Sequence, residues 1–214
     1  EIIRPILRGR DIKRYGYDFA DLWLINTHNG IKENGVSAID IEQYPAIKRH
    51  LDNYYPQLAK RLDKGDTPYN LRNCAYMEDF SKQKIVWGEI SDKTKFSIEL
   101  SGNFMTEATT FLMTGDSLLY LVVFLNSKLS EYVFSKIGTT TGVGTVRWKK
   151  FTIEQLFVPK LSALREEEFN EISRKILRAT EQKQDYLELK KLVDNMIYSD
   201  FNFIREEIDF IESQ

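Results

Sequence analysis

Two short segments of the sequence combine cationic side chains with turn-forming residues in a way that suits binding to phosphate. The first, Glu1–Tyr15, has five basic residues against two acidic ones, and Pro5 and Gly9 interrupt it. The second, KIGTTTGVGTVRWKK at 136–150, has four basic residues and no acidic one. Arginine and lysine neutralise a phosphate backbone, hydroxyl groups hydrogen-bond to it, and glycine lets backbone N–H groups approach closely. The alternative for the second segment is a solvated hairpin that is basic without binding anything.

The charge is unevenly distributed around these segments. The net charge is −2 over 214 residues. Residues 166–214 contain 13 acidic and 7 basic residues, whereas residues 1–165 contain 23 basic and 19 acidic ones. The basic segments therefore lie in a mildly cationic part of the chain, and so mild an excess favours only modest electrostatic affinity.

The residue types exclude several classes of site. One cysteine, Cys74, excludes a disulfide framework, and with two histidines it makes a four-ligand zinc site improbable. The GTTTGVG run lacks the lysine of a phosphate-binding P-loop and precedes a predicted strand. No nucleophile elbow is present, and Glu89 and Glu99 lie on predicted strands where carboxylates usually face solvent. No catalytic constellation is predicted.

The composition is that of a folded globular protein. Hydrophobic residues make up 42% and charged residues 29%. The longest apolar run, 118–125, is too short to span a bilayer, and the start has no signal-peptide pattern. A cytoplasmic location without a membrane partner is therefore expected.

Hydrophobic periodicity places the basic segments on an α+β framework. Strands are expected at 22–26, 84–90, 96–100 and 109–113, and a hairpin and strand with a short helical turn at 143–158. Helices are expected at 44–62, where Pro56 kinks or splits the helix, and at 117–137, with Ser117 as N-cap. The predicted fold class is α+β, with a small mixed β-sheet, packed helices and one long C-terminal helix.

The C-terminal region differs from the rest in its periodicity. Residues 164–197 contain no glycine or proline, and apolar positions recur there at alternating steps of three and four. This helix either packs one stripe on the protein body or pairs with another helix, so a dimer is a possible assembly. A turn and a short helical piece follow at 198–214. The expected division is a recognition domain at 1–162 and a helical tail at 163–214.

Five collinear segments resemble the TaqI-like C-terminal specificity domains of type IIG restriction–modification enzymes and adenine-specific DNA methyltransferases. They are RPILRGRDIKRY at 4–15, YNLRNCAYMEDFSKQKIVWGEIS at 69–91, LVVFLNSKL at 121–129, GTVRWKKFTIEQLFVPKL at 144–161 and LVDNMIYSDFNFIREEIDFIE at 192–212. The last segment departs from the family, since it reads YSDFNF where YxLYGL is usual. That departure affects the expected packing of the tail.

The resemblance implies a role in reading DNA. In this family an N-terminal domain binds S-adenosylmethionine and carries an NPPY-type motif for N6 methylation of adenine. This sequence has neither that motif nor a cofactor-binding glycine loop. The chain is therefore expected to be the target recognition domain alone, non-catalytic and without a cofactor of its own. Its expected partners are double-stranded DNA and the methyltransferase domain, with or without a fused endonuclease.

The resemblance also implies which residues contact DNA. Phosphate contacts are expected from Arg4, Arg8, Arg10, Lys13, Arg14, Thr140, Thr141, Lys149 and Lys150. Base reading is expected from Tyr69, Asn70, Arg72, Asn73, Arg147 and Trp148.

Structural roles are the alternatives for several of these residues. Arg10 and Asp11 can form an internal ion pair, Arg72 can form a structural salt bridge, and Trp148 can belong to the core. Asn126, Ser127 and Lys128 are expected to form a structural helix end. The alternative function for the whole chain is a protein-interaction module that docks through its long helix.

Overall fold

The computed structural model describes residues 2–140 and 145–214, which form an α+β fold, as the sequence predicts. The strands are β1 (Ile3–Leu7), β2 (Ile12–Lys13), β3 (Gly16–Tyr17), β4 (Trp23–Ile25), β5 (Lys84–Gly88), β6 (Ile90–Ser91), β7 (Ser97–Glu99), β8 (Met105–Thr106), β9 (Thr110–Met113), β10 (Thr139–Thr140) and β11 (Val146–Arg147). The helices are α1 (Pro45–Asp52), α2 (Tyr55–Lys60), α3 (Leu118–Leu125), α4 (Lys128–Ile137), α5 (Lys150–Ile153), α6 (Ala163–Glu181), α7 (Leu187–Asp200) and α8 (Arg205–Glu212).

The centre of the fold is an antiparallel sheet in the order β7-β5-β9. Strand β5 is buried along its first four residues, of which Ile85, Val86 and Trp87 are apolar and Lys84 is a buried cation. Trp87 on β5 stacks on Phe111 of β9, with ring centroids 5.6 Å apart. The predicted strands at 84–90, 96–100 and 109–113 all correspond to strands of this sheet.

The N-terminal segment enters the fold as a strand. The sequence predicts a basic loop before the strand at 22–26, but β1 lies in the middle of a second sheet, in the order β4-β1-β8. It pairs antiparallel with β4 and parallel with β8. Leu7 at its end is fully buried. Pairing with β4 and β8, together with the burial of Leu7, explains why this basic segment is a strand.

Two helices replace the single helix predicted at 117–137. The break falls at Asn126 and Ser127, both fully buried. Asn126 accepts a hydrogen bond from the Phe96 N–H (3.1 Å) and donates to the Phe96 carbonyl (2.7 Å). It thus pairs with the Phe96 backbone as a neighbouring strand would. Ser127 caps α4 by accepting from the Ser130 N–H (3.1 Å). The structural role predicted for these two residues is confirmed, whereas the predicted cap Ser117 makes no capping hydrogen bond.

We expect the substitution Asn126→Ala to destabilise the fold. It leaves the N–H of buried Phe96 without its partner, and an unsatisfied buried group costs about 1–3 kcal/mol of the free energy of unfolding. Urea denaturation of the two proteins measures the difference. Asn195→Ala, at an exposed position of α7, is the matched control and should stay within about 0.5 kcal/mol of the parent. Equal stabilities of the two variants would contradict this role of Asn126.

The C-terminal helical region consists of two helices rather than one. Helix α6 ends at Glu181, and Lys183 has a left-handed backbone (φ 55°) that turns the chain before α7 begins. Phe169, Ile172 and Ile176 of the predicted stripe are buried, and α6 packs on α3 and α7. The stripe therefore packs on the body of the protein, which is the first of the two predicted arrangements.

Asp194 joins this helical region to α4. Its carboxylate accepts from the Lys128 N–H (2.7 Å) at the start of α4 and pairs with Lys190 (2.9 Å). Burial raises the pKa of Asp194, and both partners oppose that shift. The side chain therefore fixes the LNSK segment against α7.

Residues 26–82, called here the lobe, follow β4 and precede β5 in the chain, and they include α1 and α2. The predicted helix at 44–62 is split into these two helices, and Pro56 lies in the first turn of α2, where its missing N–H costs nothing. Asn70 is buried at the centre of the lobe and donates to the carbonyl of Ile39 (2.9 Å).

Across residues 2–140 and 145–214, no helix is both long and apolar enough to cross a membrane.

Candidate nucleic-acid interface

The two basic segments of the sequence meet in space beside the end of β5. Strand β11, from the second segment, pairs with β6, which directly follows β5. The 3₁₀ turn Gly9–Asp11, from the first segment, packs on Gly88 at the end of β5. A cleft of about 340 Å³, called here the basic cleft, lies where this turn meets β6 and the end of β5. Its lining consists of Gly9, Arg10, Ile12, Lys13, Gly88, Glu89, Ile90, Ser91, Lys95 and Thr109.

Two glycines make this approach possible. A Cβ atom built on Gly88 would lie 3.1 Å from the Cα of Gly9, and one built on Gly9 would lie 3.3 Å from the Cα of Gly88. Both neighbours are backbone atoms, so a side chain at either position would push the two segments apart. The basic cleft therefore depends on close backbone contact between the Gly9 turn and the end of β5.

Two cations of the N-terminal segment hold the fold near the cleft. Arg4 donates to the carbonyl of Asn103 through Nε (3.1 Å) and Nη2 (3.0 Å). Arg8 donates to both carboxylate oxygens of Asp11, at 2.9 and 2.7 Å. The Arg8 hydrogen bond lowers the pKa of Asp11, although burial opposes the shift. The internal ion pair predicted for Asp11 therefore exists, but its partner is Arg8 rather than Arg10.

Of the remaining three cations of this segment, Arg14 also binds within the fold, whereas Arg10 and Lys13 are exposed. Arg14 donates to the Thr94 hydroxyl (2.8 Å) and to Glu131 (3.0 Å), which ties the segment to α4. Arg10 is exposed and has no ion-pair partner among the described residues. Lys13 is exposed; its Nζ donates to the Arg10 carbonyl (3.2 Å) and forms a long contact of 3.7 Å with Asp18. Arg10 and Lys13 both line the basic cleft, so they remain the candidates for phosphate contacts here.

The second basic segment contributes a paired arginine and a core tryptophan. Arg147 on β11 donates to Glu89 through Nη1 (2.9 Å). Trp148 is buried and packs edge-to-face on Phe134, with ring centroids 4.9 Å apart. The alternative of a core role for Trp148 is therefore the one that its burial favours. Its assignment to base reading would require the ring to leave the core.

The other phosphate candidates of this segment lie on β10 and at the start of α5. Thr140 is on β10, which pairs with β11, and Thr141 lies outside the described residues. Lys149 is half-buried at the N-cap of α5. Lys150 is exposed and forms a long contact with Glu154 (3.6 Å).

The four predicted base-reading residues at 69–73 lie in the lobe and do not line the basic cleft. Their contacts are Tyr69 with Asp52 (2.6 Å), Asn70 with Thr67 (2.6 Å), Arg72 with Asp63 (3.3 Å) and Asn73 with Asn29 (2.6 Å). The hydrogen bond to Asp52 raises the pKa of Tyr69 to about 12. Arg72 and Asn73 are exposed, whereas Asn70 is buried inside the lobe and serves its structure.

Lys95 and Glu89 belong to the cleft and were not expected there from the sequence. Lys95 lies in the turn before β7 and pairs with Asp92 (2.7 Å). Lys95 follows a predicted turn and is 85 positions from Arg10 in the chain, so the sequence did not indicate that the two residues line one cleft. Glu89 was expected to face solvent, but it pairs with Arg147 at the rim of the cleft. The pairing of β11 with β6 brings Arg147 beside Glu89, and the contact between Gly9 and Gly88 brings Arg10 to the same cleft.

The described residues contain no group of three or more histidine, cysteine, aspartate or glutamate side chains that could hold a metal ion. Glu99, on β7, forms a fully buried ion pair with Lys84 (2.5 Å) and is not available to a ligand. The arrangement of cations, hydroxyl groups and backbone at the basic cleft can bind an anionic polymer.

Comparison with known proteins identifies the family. The chain resembles the crystal structure of the type IIG restriction endonuclease BpuSI, with a TM-score of 0.51 and 12% sequence identity. The match covers 92% of this chain and 26% of that one, so this chain corresponds to about a quarter of BpuSI. The model of the TaqI-like C-terminal specificity domain matches residues 4–158. That match spans most of the sequence and contains all the cations of both basic segments. The chain belongs to the TaqI-like C-terminal specificity domain family.

Proposed function

We propose that this chain is the target recognition domain of an S-adenosylmethionine-dependent N6-adenine DNA methyltransferase of a restriction–modification system. In this proposal it binds double-stranded DNA in a sequence-specific way and takes no part in the chemistry. S-adenosylmethionine would bind to the methyltransferase domain, not to this chain. The observation that carries the proposal is the basic cleft, which cations of the first segment line and which β11 of the second segment flanks through its pairing with β6, in a chain of the specificity-domain family.

The charges at the cleft suit a phosphate backbone. Arg10, Lys13 and Lys95 line it, and Arg147 is adjacent through its pair with Glu89. Contacts of lysine and arginine with phosphate supply affinity and register, whereas contacts with base edges supply specificity. A domain with only a few such cations binds DNA modestly on its own, because each neutralised phosphate adds one increment of counterion release.

A test of this function is selection from a pool of randomised duplexes, performed at low and at physiological salt. We expect the bound fraction to be enriched in one short site, and we expect binding to weaken as salt increases. Binding without enrichment would contradict sequence recognition by this chain. Absence of binding at both salt concentrations would contradict DNA binding altogether.

A further inference from the structure

Arg147, which lies beside the cleft, is placed by backbone pairing on one side and by a buried neighbour on the other. Strand β11 pairs with β6, with Arg147 opposite Ile90. The next residue, Trp148, is buried, and its N–H donates to the carbonyl of Glu89 (2.7 Å). The Glu89 N–H in turn donates to the Thr109 carbonyl (2.9 Å). Arg147 and Glu89 are therefore both fixed through their backbones.

The guanidinium group of Arg147 is held at one edge and open at the other. Glu89 accepts from Nη1 (2.9 Å), and no other described residue pairs with the guanidinium. The Arg147 side chain is 42% exposed and that of Glu89 is 25% exposed. The edge formed by Nε and Nη2 therefore remains available as a two-donor fork.

The other arginines near the cleft lack this combination. Arg8 uses its Nε–Nη2 edge on Asp11, and Arg14 uses the same edge on Thr94 and Glu131. Arg10 is exposed, but no carboxylate of residues 2–140 and 145–214 pairs with its side chain. A freely rotating arginine suits a phosphate, which can be approached from many directions. A fixed two-donor fork suits the edge of a base, which has one geometry.

We propose that Arg147 recognises a guanine in the target site and that Glu89 is the positioning residue that aims it. This inference rests on the proposed function. Guanine presents the acceptors O6 and N7 in the major groove, which match two parallel N–H donors. Adenine has the N6 amino group in place of O6, so one N–H donor of Arg147 would meet another donor there instead of an acceptor. Alignment by Glu89 reduces the side-chain freedom that Arg147 loses on binding.

The experiment compares variants of the full chain on the duplex selected from the randomised pool and on duplexes changed at single positions. For Arg147→Gln we expect the guanine preference at one position to fall about 5- to 150-fold, with preference moving towards adenine. For Glu89→Ala we expect a smaller loss at the same position, with an unchanged salt dependence of binding. Glu154→Ala, which removes the partner of Lys150, is the matched control and should change no base preference.

The outcomes separate the inference from the proposed function. Sequence-selective binding by the parent chain, with unchanged base preferences in both Arg147→Gln and Glu89→Ala, would overturn the inference and leave the function intact. No binding by the parent chain would overturn both. Thermal melts of each variant show whether the fold is retained, and Arg147→Lys supplies a second test because it keeps the charge and removes the fork. We expect Arg147→Lys to retain the salt dependence of binding and to lose the guanine preference.

Discussion

The substitution Lys84→Met is expected to lower the stability of the fold more than any other single change proposed for it. Lys84 and Glu99 form an ion pair of 2.5 Å, and both side chains are fully buried. Lys84 also donates to the carbonyl of Phe80 (2.9 Å). Removing one partner of a buried pair leaves an uncompensated charge and costs about 3–5 kcal/mol. At about 2–4 °C per kcal/mol for a chain of this size, the melting temperature should fall by roughly 6–20 °C.

The pH dependence of this loss follows from the pKa of Glu99. Burial opposes its ionisation, but hydrogen bonds from Lys84 and Ser101 together hold the pKa below the usual value of 4.5. The ionised pair therefore stabilises the fold fully above pH 4.5, and this contribution is lost as the pH falls through the lower folded-state pKa. In the Lys84→Met variant, Glu99 has lost its cationic partner, and its burial favours the protonated carboxylic acid. The difference in stability between parent and variant should shrink as the pH falls from 7 to 4.

Two further variants sharpen this test. The double variant Lys84→Met/Glu99→Leu replaces both charges by apolar groups, and we expect most of the lost stability to return. Lys82→Met removes an exposed lysine two positions earlier, which pairs with Asp79, and should shift the melting temperature far less. Equal effects of Lys82→Met and Lys84→Met would contradict the assignment of the buried pair as a stabilising feature of the core.

The sequence was informative about the elements and less so about the groups that meet at the cleft. The strand at 84–90 and the helical character of 164–197 could be predicted because apolar residues recur there with the period of the element, although the break between α6 and α7 was not predicted. The break between α3 and α4 at Asn126 could not be predicted. It depends on hydrogen bonds between the Asn126 side chain and the backbone of Phe96, which lies 30 positions away in the chain. Local periodicity contains no information about such partners.

The same limit separates the predicted and observed roles of the basic residues. Arg8 and Arg10 are equivalent by type and spacing, yet the 3₁₀ turn directs Arg8 to Asp11 and leaves Arg10 exposed at the cleft. Asn70 looked suited to base reading, but its amide group binds backbone carbonyls inside the lobe. Residue type indicates which contacts a side chain can make. The fold decides whether those contacts are already taken.

The triple variant Arg10→Ala/Lys13→Ala/Lys95→Ala is expected to bind duplex DNA about 10- to 100-fold more weakly than the parent chain. These three cations line the basic cleft, and none of them belongs to a buried ion pair of the fold. Each phosphate contact contributes close to one unit to the slope of log affinity against log salt. The slope should therefore decrease by about three, with the loss spread evenly over different duplex sequences.

The matched control for this result is Lys175→Ala/Arg178→Ala/Lys191→Ala, which removes the same charge from exposed positions of the C-terminal helices. If DNA lies in the basic cleft, the control should change the slope less than the cleft variant does, because none of its three residues lines the cleft. Equal losses in the two triple variants would mean that net charge, rather than the cleft, governs binding. An unchanged slope in the cleft variant would move the phosphate contacts to the lobe, where Arg72 and Asn73 are exposed, and substitutions there would become the decisive measurement.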